Sequence, residues 1–255
     1  MNIVVCCKSV PGYVTDLKIG ADGKSLQYQG QLLAINECDE YALEEALVLK
    51  KAQGGQITAI SMGGIKSQDV LYYALAKGAD KAVRVDCDSQ DPRVASTLLA
   101  AALKKIDYDL VLTGTQARDT LGGQVGIAAA SLLGLPFAYA VVGVEVQDDK
   151  TIKARKELGG GRYAEVELQL PALLCVQTGI QPLTFVPPAR RVRARQQPVR
   201  SFSAADLGMQ AEQLTTKGYR ILTVHPPERA HQVELLQGNA QEVAAALLGK
   251  IRESR

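Results

Sequence analysis

The sequence contains 255 residues, of which 47% are hydrophobic and 22% are charged, a balance that excludes a chain disordered throughout its length. A chain of this size can bury most of its unfolded surface, so its core needs neither a structural metal nor disulfide bonds. The formal net charge of +2 is too small to indicate nucleic-acid binding by itself.

Short β-rich runs alternate with longer helical patterns through the first 140 residues. Strands are predicted over residues 2–7, 56–62, 81–85 and 110–113, and helices over residues 39–51, 68–77, 92–105 and 122–133. In the first helix, an apolar stripe lies opposite a charged face that includes Glu40, Glu44 and Glu45. Strands that alternate with helices predict a parallel sheet covered by helices on both faces.

The pattern changes after Pro136. Strands are predicted over residues 141–146, 151–156 and 162–170, with turns at residues 147–150 and at the three glycines 159–161. Apolar and polar residues alternate in the third of these strands, which is typical of a half-exposed antiparallel strand. We therefore expect a small antiparallel addition to the parallel sheet.

From Gln181 the chain is rich in proline and arginine and has no periodic core pattern before a predicted helix at residues 240–252. We expect residues 1–180 to form the α/β domain and residues 181–255 to form an extended arm that lies on a partner chain. Five arginines fall within eleven positions of this arm, namely Arg190, Arg191, Arg193, Arg195 and Arg200. They indicate a solvated face of the arm or a surface that docks on an acidic partner, and the run lacks the interleaved aromatic residues of a nucleic-acid site.

The cysteines are odd in number and widely scattered, which favours reduced thiols over a disulfide framework. They are Cys6, Cys7, Cys38, Cys87 and Cys175. The two histidines have no cysteine neighbours at zinc-site spacing, so no metal site is expected. The sequence has neither an apolar run of about 20 residues nor a signal-peptide pattern, so a cytoplasmic location without a membrane span is the expectation.

Residues 112–126 contain the most informative pattern. They leave the carboxyl end of a strand, form a glycine-rich loop and enter an alanine-rich helix, which is where open parallel sheets bind ligands. The unpaired N–H groups at a helix start suit a phosphate, and Gly122, Gly123 and Gly126 allow a ligand to approach the backbone. The alternative is an ordinary loop in which Asp119 or Thr120 caps the helix. The segment matches neither a Walker A loop nor the GxGxxG motif.

Residues 36–46 begin the first long helix. Asn36 or Asp39 is expected to cap it by accepting a backbone hydrogen bond. The alternative is that these polar groups contact an adenine or a ribose at the same sheet edge.

These segments together resemble the electron-transfer flavoprotein β-subunit family, and the resemblance covers almost the whole chain in the same order. The motifs are residues 4–8 with Tyr13, residues 36–46, 76–80 and 109–114, Gln116 and Ala117 with Asp119, and residues 124–126, 156–158, 170–172 and 206–208. The resemblance implies a doubly wound sheet of the adenine-nucleotide-binding type. It also implies that the chain binds AMP or, in electron-bifurcating members, a second FAD.

The residues that match the family's nucleotide site lie at several strand ends and in the loop. They are Cys6, Asn36, Asp39, Met62, Gly114, Thr115, Gln116, Ala117, Arg118, Asp119, Thr120, Leu121, Gly122, Gly123, Gln124 and Val125. In this family, backbone N–H groups near residues 122–125 hold the phosphate.

The resemblance further implies a heterodimer with an α subunit that carries FAD. Tyr13, Lys156 and Glu157 match positions that face this flavin, and Ile180 matches an aliphatic anchor that recognises dehydrogenases. The chain is then an electron carrier with no catalytic acid, base or nucleophile of its own. The alternatives are an electron-bifurcating subunit with its own FAD, a free-standing nucleotide-binding regulatory protein, or an adenylating enzyme or hydrolase, for which no catalytic motif is present.

Overall fold

The computed structural model describes residues 1–12, 18–27, 33–210, 214, 221–226 and 233–253. Its strands, in chain order, are β1 (Ile3–Cys6), β2 (Ser9–Pro11), β3 (Lys18–Ile19), β4 (Leu26–Gln27), β5 (Leu33–Ile35), β6 (Ile57–Met62), β7 (Lys81–Val85), β8 (Leu110–Gly114), β9 (Phe137–Val146), β10 (Thr151–Gly159), β11 (Arg162–Gln169), β12 (Ala172–Val176) and β13 (Arg200–Phe202). Its α-helices are α1 (Glu37–Gln53), α2 (Gln68–Lys77), α3 (Pro92–Leu103), α4 (Val125–Leu133), α5 (Pro188–Ala194) and α6 (Ala240–Glu253), and a 3₁₀ turn covers Ile65–Ser67.

A nine-stranded sheet forms the centre of the fold, in the order β11-β10-β9-β12-β8-β1-β6-β7-β13. All neighbours from β9 to β13 pair in parallel, whereas β9, β10 and β11 pair antiparallel to one another. The mostly parallel sheet and its antiparallel addition confirm the fold predicted from the sequence.

Helices cover both faces of the sheet. Successive strand residues point to opposite faces, and since both sets are apolar, each face needs a covering layer. In β1, Ile3 and Val5 pack in one apolar cluster with residues of α1 and α2. Val4 packs in the other cluster with residues of α3 and α4. The sheet is therefore doubly wound.

The predicted elements agree with the structure to within four residues at each end, and the most informative difference is at the start of α4. This helix begins at Val125 and not at Gly122. Leu121 and Gly123 have φ angles of 52° and 59°, in the left-handed region that a right-handed helix cannot include. The glycines therefore belong to the loop that precedes the helix.

Glu44 and Glu45, on the charged face of α1, are buried although a charged helix face is usually exposed to solvent. They are 4% and 1% exposed. The Glu44 carboxylate accepts hydrogen bonds from the Thr184 backbone and hydroxyl and lies 2.8 Å from the Lys77 ammonium, while Gln181 donates to Glu45. The segment after β12 thus covers the polar side of α1, which the periodicity of the helix by itself does not reveal.

Residues after Gln181 contribute to the main sheet, although the sequence shows no core pattern there. The strand β13 pairs with β7, and Val186, Ala194, Phe202 and Leu207 are buried. A three-residue strand with one buried side chain is too short to produce a periodic signal. The predicted contact of residues 181–255 with a partner chain stays a prediction.

All five arginines of the run are exposed, and three of them contact aromatic rings of the same chain. The guanidinium groups of Arg191, Arg195 and Arg200 lie 4.8, 5.8 and 4.4 Å from the ring centres of Tyr73, Tyr72 and Phe202. The first two cation–π contacts stabilise α5 against α2, whereas the third lies within β13.

The chain divides into two compact units, one of residues 1–18 and 28–220 and one of residues 19–27 and 221–255. The second unit contains α6, which confirms the predicted C-terminal helix. None of the helices in the described ranges is long and apolar enough to cross a membrane.

The ion pair of Lys77 with Glu44 provides a test of the α1 interior. Lys77→Met leaves the Glu44 carboxylate buried without its cation, so we expect the free energy of unfolding to fall by about 3–5 kcal/mol. Chemical denaturation of the purified protein measures this change. As a control, Lys50→Met removes the half-exposed pair with Asp80 and should cost less than about 1 kcal/mol. Equal effects of the two substitutions would contradict the buried position of Lys77.

Candidate nucleotide-binding site

The candidate site lies at the carboxyl edge of the sheet, between β1 and β8. The chain leaves β1 through α1 towards β6, on one side of β1, whereas β8 on the other side continues into α4. The two connections diverge here, and such a topological switch point is where doubly wound sheets bind their ligands. Residues 115–124 form the loop between β8 and α4.

The loop closes in a tight turn before α4 begins. The N–H groups of Thr120 and Leu121 both donate to the Ala117 carbonyl. No side chain caps α4 within the described residues, and Asp119 is paired elsewhere, so the alternative of an Asp119 or Thr120 cap is wrong. The start of α4 therefore keeps its capacity to bind an anion.

Asn36 stands at the start of α1 but does not cap it. Its amide nitrogen donates to the Gln116 carbonyl at 2.8 Å, and its amide oxygen accepts from the Arg118 N–H at 3.0 Å. Asn36 therefore occupies the predicted cap position, but its side chain, with the residue 1% exposed, holds the loop and makes no capping hydrogen bond to α1.

Asp39 lies in the first turn of α1 and joins the ends of two strands. One carboxylate oxygen accepts from the Lys8 N–H at 2.7 Å, after β1, and the other accepts from the Gly114 N–H at 2.9 Å, at the end of β8. Burial raises the pKa of Asp39 to about 6, against the opposing effect of these hydrogen bonds. Asp39 is therefore not a helix cap either.

Two further contacts hold the loop to the segment after β1. The Lys8 ammonium lies 2.8 Å from both carboxylate oxygens of Asp119, and the Arg118 guanidinium donates to the Pro11 carbonyl at 2.6 Å. The paired residues are more than 100 positions apart in the sequence, and they meet because β1 and β8 are neighbours in the sheet.

Cys6 and Met62 end the adjacent strands β1 and β6 and are half-buried on the face that α3 and α4 cover. Burial raises the pKa of the Cys6 thiol well above its usual value, so this thiol is neutral. The structure thus brings Cys6, Met62, Asn36 and Asp39 to one edge of the sheet, together with the loop and the two residues that flank it, which we call loop 114–125.

The glycines of this region serve different purposes. A Cβ at Gly114 would lie 2.3 Å from an Asp39 oxygen, and one at Gly126 would lie 2.5 Å from the Thr113 hydroxyl, so both are required for internal packing. A Cβ at Gly122 would meet no atom within 4 Å. The space beside Gly122 is therefore open and Gly126 is needed for packing, while the role of these glycines in the approach of a ligand stays a prediction.

The charges of the site fit an anion. Both carboxylates near the loop are already engaged, Asp119 by the Lys8 ammonium and Asp39 by two backbone N–H groups. An uncapped helix start with no unpaired carboxylate beside it is suited to a phosphate.

The predicted flavin-facing residues lie on the antiparallel addition. Tyr13 lies outside the described residues. Lys156 and Glu157 are neighbours in β10, so their side chains point to opposite faces of the sheet. Glu157 lines a hollow of about 390 Å³ together with Arg155, whose guanidinium lies 4.2 Å from the Tyr163 ring centre, and Lys156 does not line it.

Ile180, the predicted recognition residue, is half-buried against the cluster that contains α1. The more exposed apolar side chains of the same segment are Leu183 and Phe185, at 40% and 80% exposure. Sequence reasoning missed Phe185 because exposure is not visible in a segment without periodicity. It also missed that Arg155 lies beside Glu157 in the hollow. Residues two apart in a strand share a face, so the sequence could have indicated this.

A doubly wound α/β sheet with a glycine-rich loop at its switch point defines the class of this protein. Residues 26–207 match the electron transfer flavoprotein domain. The chain belongs to the electron transfer flavoprotein family, as a member of its β-subunit group, whose members take part in electron transfer.

Curated relatives align over nearly the full length of this chain. It is 35% identical to the electron transfer flavoprotein subunit beta of Clostridium acetobutylicum, over 99% of this chain and 98% of the relative. It is 30% identical, with the same coverage of both chains, to the corresponding subunit of Methylophilus methylotrophus and to subunit CarD of the caffeyl-CoA reductase–Etf complex of Acetobacterium woodii.

The raised pKa of Asp39 gives a testable pH dependence. A carboxyl whose folded pKa is above its unfolded value of 3.8 contributes most stability when protonated, and this contribution is lost as the pH rises to about 6. The free energy of unfolding of the wild type, minus that of Asp39→Asn, should therefore decrease by about 2 kcal/mol between about pH 4 and pH 6. Denaturation at a series of pH values measures it.

Asp148→Asn is the control, because Asp148 is exposed and the Lys150 N–H lowers its pKa. This substitution should leave the slope between pH 4 and pH 6 unchanged. A wild-type advantage over Asp39→Asn that grew with pH would show that the hydrogen bonds outweigh burial.

Proposed function

We propose that this chain is the β subunit of a heterodimeric electron-transfer flavoprotein. It binds an adenine nucleotide, AMP or FAD, and shuttles electrons between dehydrogenases and an acceptor together with an α subunit that carries FAD. The observation that carries the nucleotide proposal is the uncapped start of α4 behind Gly122, at the switch point between β1 and β8.

Different residues hold the nucleotide and shape its site. The backbone N–H groups of residues 122–125 contact the phosphate, because they lie where the loop enters α4. Asn36 and Asp39 are positioning residues, since their hydrogen bonds go to the loop backbone and to the strand ends. Cys6 and Met62 provide a neutral, largely apolar wall that suits a ring system.

The bound nucleotide supports electron transfer as a resident cofactor, and FAD supplies the redox chemistry when it is bound. The chain's own residues bind, orient and exclude water. An AMP in this site makes the chain a structural and docking subunit, whereas a second FAD makes it an electron-bifurcating one.

Gly122→Val tests the nucleotide site. A Cβ at this position meets no protein atom within 4 Å, and the valine methyl groups would occupy the open approach to the loop, so we expect the β-site nucleotide to fall to less than about a tenth of the wild-type content. The measurement is chromatography of the nucleotides released from the heterodimer co-expressed with its α subunit. One flavin and one AMP per wild-type heterodimer indicate the AMP form, and two flavins indicate the second FAD.

Gly249→Val is the matched control, because a Cβ at Gly249 in α6 also meets no atom within 4 Å. This variant should keep its nucleotide. Full nucleotide content in Gly122→Val would place the phosphate elsewhere, and a wild-type heterodimer with no nucleotide besides the α-subunit flavin would contradict a nucleotide site in this chain.

A further experiment tests whether Arg155 or Lys156 is the cation that faces the α-subunit flavin. A nearby cation stabilises an anionic reduced flavin and raises its reduction potential. If the flavin lies on the face of Glu157, Arg155→Ala should lower the potential by a few tens of millivolts, where about 59 mV is a tenfold change for a one-electron couple. Lys156→Ala should then have the smaller effect.

Potentiometric titration of the reconstituted heterodimer measures both variants. A larger effect of Lys156→Ala would place the flavin on the opposite face of β10 and support the role that the family resemblance implies for Lys156. Unchanged potentials in both variants would remove this pair of cations from the flavin environment. Neither substitution should alter the β-site nucleotide content.

A further inference from the structure

A row of side chains crosses the carboxyl edge of the sheet beside the start of α4. Cys175 in β12 is in register with Thr113 in β8 and with Tyr139 in β9. The Thr113 hydroxyl and the Cys175 thiol lie 2.5 and 2.8 Å from the point that a Cβ at Gly126 would occupy. The Tyr139 hydroxyl lies 2.9 Å from the corresponding point at Gly123. The row therefore contacts both the loop and the first turn of α4.

Two hydroxyl groups of this row are not used by the protein. The Thr113 hydroxyl is buried without a hydrogen-bond partner, apart from a weak interaction with the Cys175 thiol. Tyr139 is half-buried, and its hydroxyl makes no hydrogen bond to any part of the chain that the structure describes. Buried polar groups in folded proteins are almost always paired, so the unpaired Thr113 hydroxyl indicates a partner at this edge that is not protein, and the accessible Tyr139 hydroxyl beside it can donate to the same partner.

The backbone next to Tyr139 is distorted in a way that directs its side chain. The pairing of β9 with β12 shifts register here, and Ala140 has a φ of 57°. An alanine rarely adopts this left-handed conformation, and β-bulges of this kind re-aim side chains beside ligand sites. The bulge keeps Tyr139 on the α4 face, against Gly123.

The row is neutral and Tyr139 is a donor at physiological pH. Burial raises the pKa of Cys175 to about 11 and also raises the pKa of Tyr139. Both groups therefore stay protonated, and neither repels a phosphate. A phenol that keeps its proton can donate a hydrogen bond to an anionic oxygen.

We propose that Tyr139 is a phosphate-binding residue, whose hydroxyl donates a hydrogen bond to the phosphate of the nucleotide at loop 114–125. This inference rests on the proposed nucleotide site and adds to it a side-chain contact outside the loop. It also explains why residue 123 is glycine, since a side chain there would meet the hydroxyl and would have to adopt a φ of 59°.

Tyr139→Phe tests the inference, because it removes the hydroxyl and keeps the ring. Calorimetric titration of the nucleotide-depleted heterodimer with AMP should show a loss of affinity of roughly 10- to 100-fold, as expected for a hydrogen bond to a charged group. Adenosine, which has no phosphate, should bind the variant and the wild type equally.

Tyr108→Phe is the matched control. Tyr108 is also a half-buried tyrosine whose pKa burial raises, but it precedes β8 at the opposite edge of the sheet. Its loss should leave the affinity for AMP unchanged. The thermal unfolding midpoint of each nucleotide-free variant should equal that of the wild type.

Each other outcome overturns a different statement. If the wild type binds AMP and Tyr139→Phe binds it equally well, Tyr139 is a packing residue and only this inference fails. An equal loss for AMP and adenosine, or a lowered unfolding midpoint that accounts for the loss, would also assign Tyr139 a structural role. A wild-type heterodimer that binds neither AMP nor FAD beyond its α-subunit flavin would instead contradict the proposed function.

Discussion

The carboxylate of Asp39 is the contact on which the candidate site depends. It is buried, and its two oxygens tie the backbone after β1 to the last residue of β8. One turn earlier in the chain, Asn36 holds the loop that follows β8 at two backbone positions. The start of α1 therefore fixes the separation of the two strand ends and the path of the loop. The cost is a buried charge, which is visible in the raised pKa of Asp39.

The same helix is polar and buried further along its length. Lys77 and the segment of residues 181–186 pair with Glu44 and Glu45, so the charged side of α1 becomes part of the interior. This arrangement fixes a segment without periodic structure and leaves Phe185 exposed at its surface. A buried ionic network is sensitive to the loss of any one member, because the remaining charge has no water to solvate it.

The loop that follows β8 combines rigidity with an open face. Its acidic and basic side chains pair with the segment after β1. Neighbouring protein atoms occupy the space that a side chain at Gly114 or Gly126 would need. What remains accessible is the backbone near Gly122 and the neutral row that ends at Tyr139. The donors of the candidate site are therefore already in place, and no charged side chain would have to move for an anion to bind.

The sequence by itself determined most strands of the main sheet, five of the six α-helices and the edge at which the candidate site lies, but it did not predict β12, β13 or α5. The features that it determined follow from patterns over a few neighbouring residues. In β11, for example, burial alternates from one residue to the next. The alternation of strands with helices then directs the β-to-α loops to the carboxyl edge. Only the tertiary structure decided what the polar residues do. The partners of Asp39 and Asn36 lie 75 and 80 positions away at Gly114 and Gln116, and that of Glu44 lies 140 positions away at Thr184. Local propensity favours a cap for such residues, but a buried polar group bonds to whichever donor the packing brings to it, and that donor is set by the fold.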